Sequence, residues 1–209
     1  MAENTNEDYI SIVANEYEKH LFFHGTINKS SAFNLCTNLT GIDLEIREKE
    51  HEKFFGFAEN KSTEEQKEPV EKSRIVLHLN CPGGMVVAAF MIADVIETLN
   101  TPVDCIIEGN LASAGIILLL ACEKRTMKRH SKIYFHETIH GIDSVKYDDL
   151  VSFQKESTEI NKMLKNYYAE KTKLNLATIS KILKQEKVIS PKEALEYGFI
   201  NIPAGSPLV

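Results

Sequence analysis

Ser113 stands among small residues in Gly109-Asn110-Leu111-Ala112-Ser113-Ala114-Gly115, directly ahead of the apolar run Ile116-Ile117-Leu118-Leu119-Leu120-Ala121-Cys122. A hydroxyl in such a turn, at the mouth of a buried helix, suits a nucleophile. Small neighbours let a substrate backbone approach, and the first N–H groups of the helix point to where an oxyanion would form. A base must reach that hydroxyl for acyl transfer, and His136, at the end of Lys132-Ile133-Tyr134-Phe135-His136, is a candidate. Asn80-Cys81-Pro82-Gly83-Gly84 supplies backbone N–H groups, one for an oxyanion and another for an extended substrate strand. Glu186 is one candidate acid to hold the imidazole in the right tautomer. Taken singly, each has a plainer reading: a structural histidine, an ordinary glycine turn, a solvated surface charge.

The elements that must position these groups read as alternating strands and helices. Residues 8–20 look like a short amphipathic helix, and Leu21 to Gly25 a brief strand ending in a glycine turn. A helical spacing of apolar residues follows from Ala32 to Ile46. Between residues 45 and 72, 15 of 28 residues are Asp, Glu, Lys or Arg, which favours a solvated segment. It contains Phe54, Phe55 and Phe57, read either as tucked against the body or as a docking patch.

Arg74 to Asn80 and Val103 to Glu108 read as buried strands, with a helix over 85–99 between them, and Lys132 to His136 as a third strand. This is the pattern of parallel βαβ crossovers, in which ligands bind beyond the carboxyl ends of the strands. A long helix is expected over 147–172 and a second over 176–184. A third starts at Ser190-Pro191-Lys192-Glu193 and ends at Tyr197-Gly198.

Bulk properties narrow the function classes. The 209 residues suffice for one domain with a sizeable core; 43% are hydrophobic and 26% charged. A net charge of -6 and the lack of a basic tract argue against nucleic acid and anionic membranes as partners. Cys36, Cys81, Cys105 and Cys122 form no C-x-x-C pair and read as reduced buried thiols. The acidic N-terminus is unlike a secretory signal, and no apolar run reaches the about 20 residues a membrane span needs. The expected location is the cytoplasm. A phosphate-loop reading of Gly109 to Gly115 fails for want of a lysine after the second glycine.

At these residues the chain resembles the Clp protease proteolytic subunit (ClpP) family of self-compartmentalised serine peptidases. Residues 22–27 resemble its opening strand, residues 80–84 its N-S-P-G-G turn, and residues 109–115 its G-Q-A-A-S-M-G nucleophile turn. Residues 133–136 resemble its histidine strand, and residues 190–198 its near-terminal helix. The likeness covers about residues 20 to 202.

The resemblance implies a ClpP/crotonase-like α/β fold, a βαβ superhelix with a protruding handle helix. It implies a single domain over 1–209, with an N-terminal segment at 1–20, a charged insertion at 47–72 and the handle at 137–172. Ser113 would be nucleophile, His136 general base and Glu186 the third member, where the family has aspartate; Asp143 and Asp148 are substitutes. Backbone N–H groups of Gly84 and Ala114 would form the oxyanion hole, while Gly83 and Thr138 would bind an extended peptide by β-addition. No metal or cofactor is implied.

The expected partners are a polypeptide substrate and further copies of the chain, in rings of seven stacked in pairs as a tetradecamer. An ATP-driven AAA+ unfoldase is a further candidate, although the N-terminal residues show no match to the family's axial loops. Other departures are Cys81 for serine and His136-Glu137-Thr138 for H-Q-P. Two further readings stay open: a non-catalytic assembly subunit of the same fold, and a crotonase-like acyl-CoA enzyme.

Overall fold

The structure, a computed structural model, describes residues 9–14, 18–59, 73–137 and 147–208. In chain order its elements are β1 (Tyr9–Ala14), β2 (Glu18–His24), α1 (Lys29–Glu59), β3 (Arg74–Cys81), α2 (Val86–Thr98), β4 (Val103–Ala112), α3 (Gly115–Ala121), β5 (Arg125–Met127), β6 (Lys132–Tyr134), α4 (Tyr147–Lys171), α5 (Leu176–Lys184), β7 (Val188–Ile189) and α6 (Pro191–Tyr197). One sheet has the order β1-β2-β3-β4-β6-β7, with β5 also paired to β4. β2, β3, β4, β5 and β6 run parallel, while β1 and β7 pair antiparallel with β2 and β6.

The expected α/β fold of βαβ units is therefore present. The N-terminal expectation is overturned: residues 9–14 and 18–24 are strands rather than a helix over 8–20. Ile10, Ile12 and Val13 are β-branched and stiff at χ1, and pairing with β2 outweighs the helical spacing of the segment. Helix α1 runs on to Glu59, so the first part of the charged segment is helical. Phe54, Phe55 and Phe57 lie on that helix, their side chains outside the described residues.

Strand β4 does two jobs, and one glycine divides them. Its residues Cys105 to Ile107 pair with β5, and Asn110 to Ala112 pair with β6. Gly109 lies between with φ +90, a conformation glycine reaches without a Cβ penalty. Ser131 spans the changeover: its hydroxyl accepts from the Gly109 N–H and donates to the Ile107 carbonyl, both at 3.0 Å.

Helices α1, α2 and α3 pack together against β3 and β4. Leu77, Leu79, Cys105, Ile107, Leu111 and the whole run Ile116 to Leu119 are fully buried there. The strand starts are fixed by an ion pair: Arg74 bonds Asp104 through two nitrogens and reaches Glu123 at 3.1 Å. Such a fork and carboxylate geometry is well matched, and it holds the guanidinium charge firmly on.

Helix α6 closes the far edge. Ser190 accepts from the Glu193 N–H, the Glu193 carboxylate accepts from the Ser190 N–H at 3.0 Å, and Gly198 ends the helix at φ +85. This capping box also grips β7, because Lys187 lies 2.7 Å from Glu193. The Lys187 ammonium and the Ser190 donors hold the Glu193 carboxyl down at about 2. A lowered folded-state value stabilises above the ordinary 4.5 and is lost as pH falls from there towards 2. Glu193→Gln should thus cost about 1 kcal/mol near neutral pH, with the gap to the native chain closing over that acid range in urea unfolding.

Candidate active site

Ser113 occupies the turn between β4 and α3 with φ +52, a left-handed conformation rare for a residue bearing a Cβ. That conformation costs about 1 kcal/mol, and the surroundings hold it. The Ser113 N–H donates to the Tyr134 carbonyl on β6 at 3.2 Å. The Ser113 carbonyl accepts from the Ile116 N–H at 3.1 Å and from the Tyr168 hydroxyl at 3.4 Å. The peptide groups on both sides of the residue are anchored, and its side chain is half-buried.

The glycine turn lies directly against this residue. A Cβ on Gly83 would sit 2.6 Å from the Ser113 Cβ and 3.1 Å from the Ala114 nitrogen. Gly83 and Gly84 have φ +101 and +140. Gly84 forms a parallel bridge with Ile27: the Ile27 N–H donates to the Gly83 carbonyl and the Met85 N–H to the Ile27 carbonyl, both at 2.8 Å. The alternation of such a bridge turns the Gly84 N–H away from Ile27. A Cβ at Gly84 would lie 2.1 Å from the Ile27 oxygen, which no side chain can do. The buried Cys81 sulfur accepts from the Gly83 N–H at 3.3 Å and steadies the turn from behind.

His136 lies two residues beyond β6, half-buried. Its Nδ1 is 2.7 Å from the Glu137 carbonyl oxygen. A carbonyl only accepts, so Nδ1 carries the hydrogen, and Nε2 is the lone-pair nitrogen of the neutral ring. The pairing of β6 with β7 matches Ile133 to Ile189 and Tyr134 to Val188, and the Phe135 N–H donates to the Lys187 carbonyl at 2.9 Å. By count along this register Glu186 falls across from His136, but the pairing stops at Phe135 and Lys187, and the Glu186 N–H turns back to the Leu183 carbonyl at 3.2 Å. Glu186 itself is exposed, at φ +48.

The structure therefore brings Ser113, Ala114, Gly83 and Gly84 together, with His136 and Glu186 on neighbouring segments. Among the described residues no hydrogen bond joins Ser113 Oγ to His136, or His136 to Glu186; the Glu137 carbonyl fills the Nδ1 side. Catalytic hydrogen bonds are often long before substrate binds. Thr138 and Asp143 lie outside the described residues, as does the Asp148 side chain.

Three contributors went unread in the sequence. Ile27 registered only within a strand motif, Cys81 only as a turn residue and buried thiol, and Tyr168 only as part of the span of a long helix. Ile27 and Tyr168 act through partners far along the chain, which nothing local marks, whereas Cys81 acts on Gly83 only two residues away. Among the described residues, no group of three or more His, Cys, Asp or Glu is placed to hold a metal ion, and no helix is long and apolar enough to cross a membrane.

A mostly parallel sheet with a serine turn packed on a diglycine turn at its carboxyl edge is a ClpP-like α/β fold. A ClpP1 point mutant from Listeria monocytogenes shares the fold, with a TM-score of 0.70 over 91% of this chain and 94% of that one, at 22% identity. The Clp protease family model matches residues 65–202, and the chain belongs to that family. An ATP-dependent Clp protease proteolytic subunit of Deinococcus radiodurans is 31% identical over 132 residues, 62% of this chain. The matched part spans 64% of that relative's length.

The glycine contacts give a direct test. Gly83→Ala puts a methyl 2.6 Å from the Ser113 Cβ at a φ that alanine rarely adopts. The substitution should lower stability by about 2 kcal/mol and abolish labelling of Ser113 by a fluorophosphonate. Thermal unfolding and intact mass measure the two effects.

Proposed function

We propose that this chain is a serine endopeptidase of the Clp type, cleaving unfolded polypeptides through Ser113, His136 and Glu186. The observation that carries the reading is the 3.2 Å bond from the Ser113 N–H to Tyr134, which hangs the nucleophile turn on the strand leading two residues later to His136. The glycine turn packed against Ser113 supports it further.

In this reaction Ser113 Oγ attacks the scissile carbonyl carbon while His136 Nε2 takes the hydroxyl proton. Negative charge gathers on the carbonyl oxygen, and the Gly84 and Ala114 N–H groups receive it. Collapse breaks the C–N bond, and His136 returns its proton to the departing amine. Water, deprotonated by the same nitrogen, then releases the acyl group and restores Ser113. The Thr138 backbone aligns the substrate as an added strand, while Gly83, its N–H given to Cys81 and its carbonyl to Ile27, shapes the turn beside it. Glu186 stabilises the imidazolium from across the β6–β7 pairing, and the Glu137 carbonyl shares the task of fixing the tautomer.

The same reading extends to assembly. The whole chain forms one peptidase domain, working in the cytoplasm. Copies associate in rings of seven, stacked in pairs, with α4 as the handle between rings and an ATP-driven unfoldase feeding substrate. A site with little side-chain selectivity needs such a wall around it.

Ser113→Ala should lower peptide cleavage by about a thousandfold or more while native mass stays unchanged. Full activity in that variant would end the proposal, and an assembled native chain that no phosphonate labels would favour a scaffold subunit. Glu186→Gln should lower kcat by about tenfold, much less than the loss on removing a triad acid, because Glu137 still holds Nδ1. Steady-state cleavage of a fluorogenic peptide reads this directly.

A further inference from the structure

We infer that Tyr168, in the last turn of α4, is a positioning residue for the nucleophile; the inference rests on the peptidase reading above. Three observations meet at its ring. Its hydroxyl donates to the Ser113 carbonyl at 3.4 Å. Its ring packs edge-on against Phe135, the residue before His136, with centroids 6.0 Å apart. Phe199, just past α6, completes the cluster, tilted on Phe135 at 4.9 Å and edge-on to Tyr168 at 6.3 Å. The residue is 1% exposed, so water does not compete for the hydroxyl.

A buried phenol needs a partner for its proton. The partner here is the carbonyl of the one residue whose strained backbone presents the nucleophile. Burial pushes the phenol's ionisation well above its ordinary range, so the group stays protonated and donates throughout the working range. The bond restrains rotation of the peptide after Ser113, the same peptide whose nitrogen is the Ala114 oxyanion donor. Alongside the Ile116 N–H on the same carbonyl, this one side chain thus helps hold both the Ser113 conformation and the direction of the Ala114 N–H. Through Phe135 it also backs the segment that carries His136. Neither the hydroxyl nor the ring reaches a substrate, so Tyr168 acts wholly through these groups.

The adjacent Tyr167 is a built-in control. Its hydroxyl donates to Glu97 at 2.9 Å and its ring meets Phe90, away from Ser113. Tyr168→Phe keeps the aromatic packing and deletes the hydroxyl; Tyr167→Phe does the same at the control position. Tyr168→Phe should lower kcat and the rate of fluorophosphonate labelling by roughly threefold to tenfold, the worth of one such bond, with KM unchanged.

Amide exchange at residues 112–117 should quicken in Tyr168→Phe and not in Tyr167→Phe, and both should unfold within a few degrees of the native chain. Equal kcat and equal exchange in the two variants would overturn the inference. If the native chain neither cleaves nor labels, the peptidase reading falls, and exchange at the Ser113 turn still decides the role of Tyr168: quickening there supports it and equality refutes it.

Discussion

Everything at this site depends on backbone meeting backbone closer than side chains permit. Gly84 lies so near Ile27 that a methyl would sit 2.1 Å from a carbonyl oxygen, and a methyl on Gly83 would sit 2.6 Å from the Ser113 Cβ. These contacts lock the segment after β2, the turn after β3 and the turn after β4 into one unit. Hydrogen-bond donors held this way need little reorganisation when charge develops in front of them, which is where preorganised dipoles gain their effect. The cost is local, in positive φ at Gly83, Gly84 and Ser113. It is offset by the buried sheet beneath, where Leu77, Leu79, Ile107 and Leu111 are fully enclosed.

The two sides of the site are held differently. Ser113 is fixed by bonds to its own peptide groups from Tyr134, Ile116 and Tyr168. His136 hangs on a short three-residue strand, whose outer edge is supplied by the Phe135 bond to Lys187 and by the Lys187–Glu193 ion pair. The histidine side therefore adds a surface ion pair to its buried packing on Phe199 and Tyr168, whereas the serine side rests on buried geometry alone. Acid conditions should loosen the former well before the latter.

The sequence was most legible where one residue type has one physical use. The apolar β-branched runs of β3 and β4, the Ser190-Pro191 start of α6 and the small residues around Ser113 each pointed to the element found. The first strand was misread because Ile10, Val13 and Tyr17 also suit a helical stripe, and only the pairing with β2 separates the two. The short strands β5 and β7 carry too few residues to show a period at all. At the site, Ser113, His136, Gly83, Gly84 and Ala114 stood out as motifs. The Glu137 carbonyl on Nδ1 did not, because a main-chain acceptor leaves no trace in residue type. Tyr168 was equally silent: its hydroxyl serves a residue 55 positions away.

The pairing of β6 with β7 has a consequence for biosynthesis. The strand leading to His136 is made long before its outer neighbour, since Phe135 must wait for Lys187, and Arg125 for the carbonyls of Gly198 and Phe199. A growing polypeptide that has already emitted Ser113 and His136 from the ribosome still lacks the edge that orders the histidine arm. Only translation of the closing stretch supplies it. On the peptidase reading proposed above, a part-made copy would present Ser113 without an ordered histidine arm.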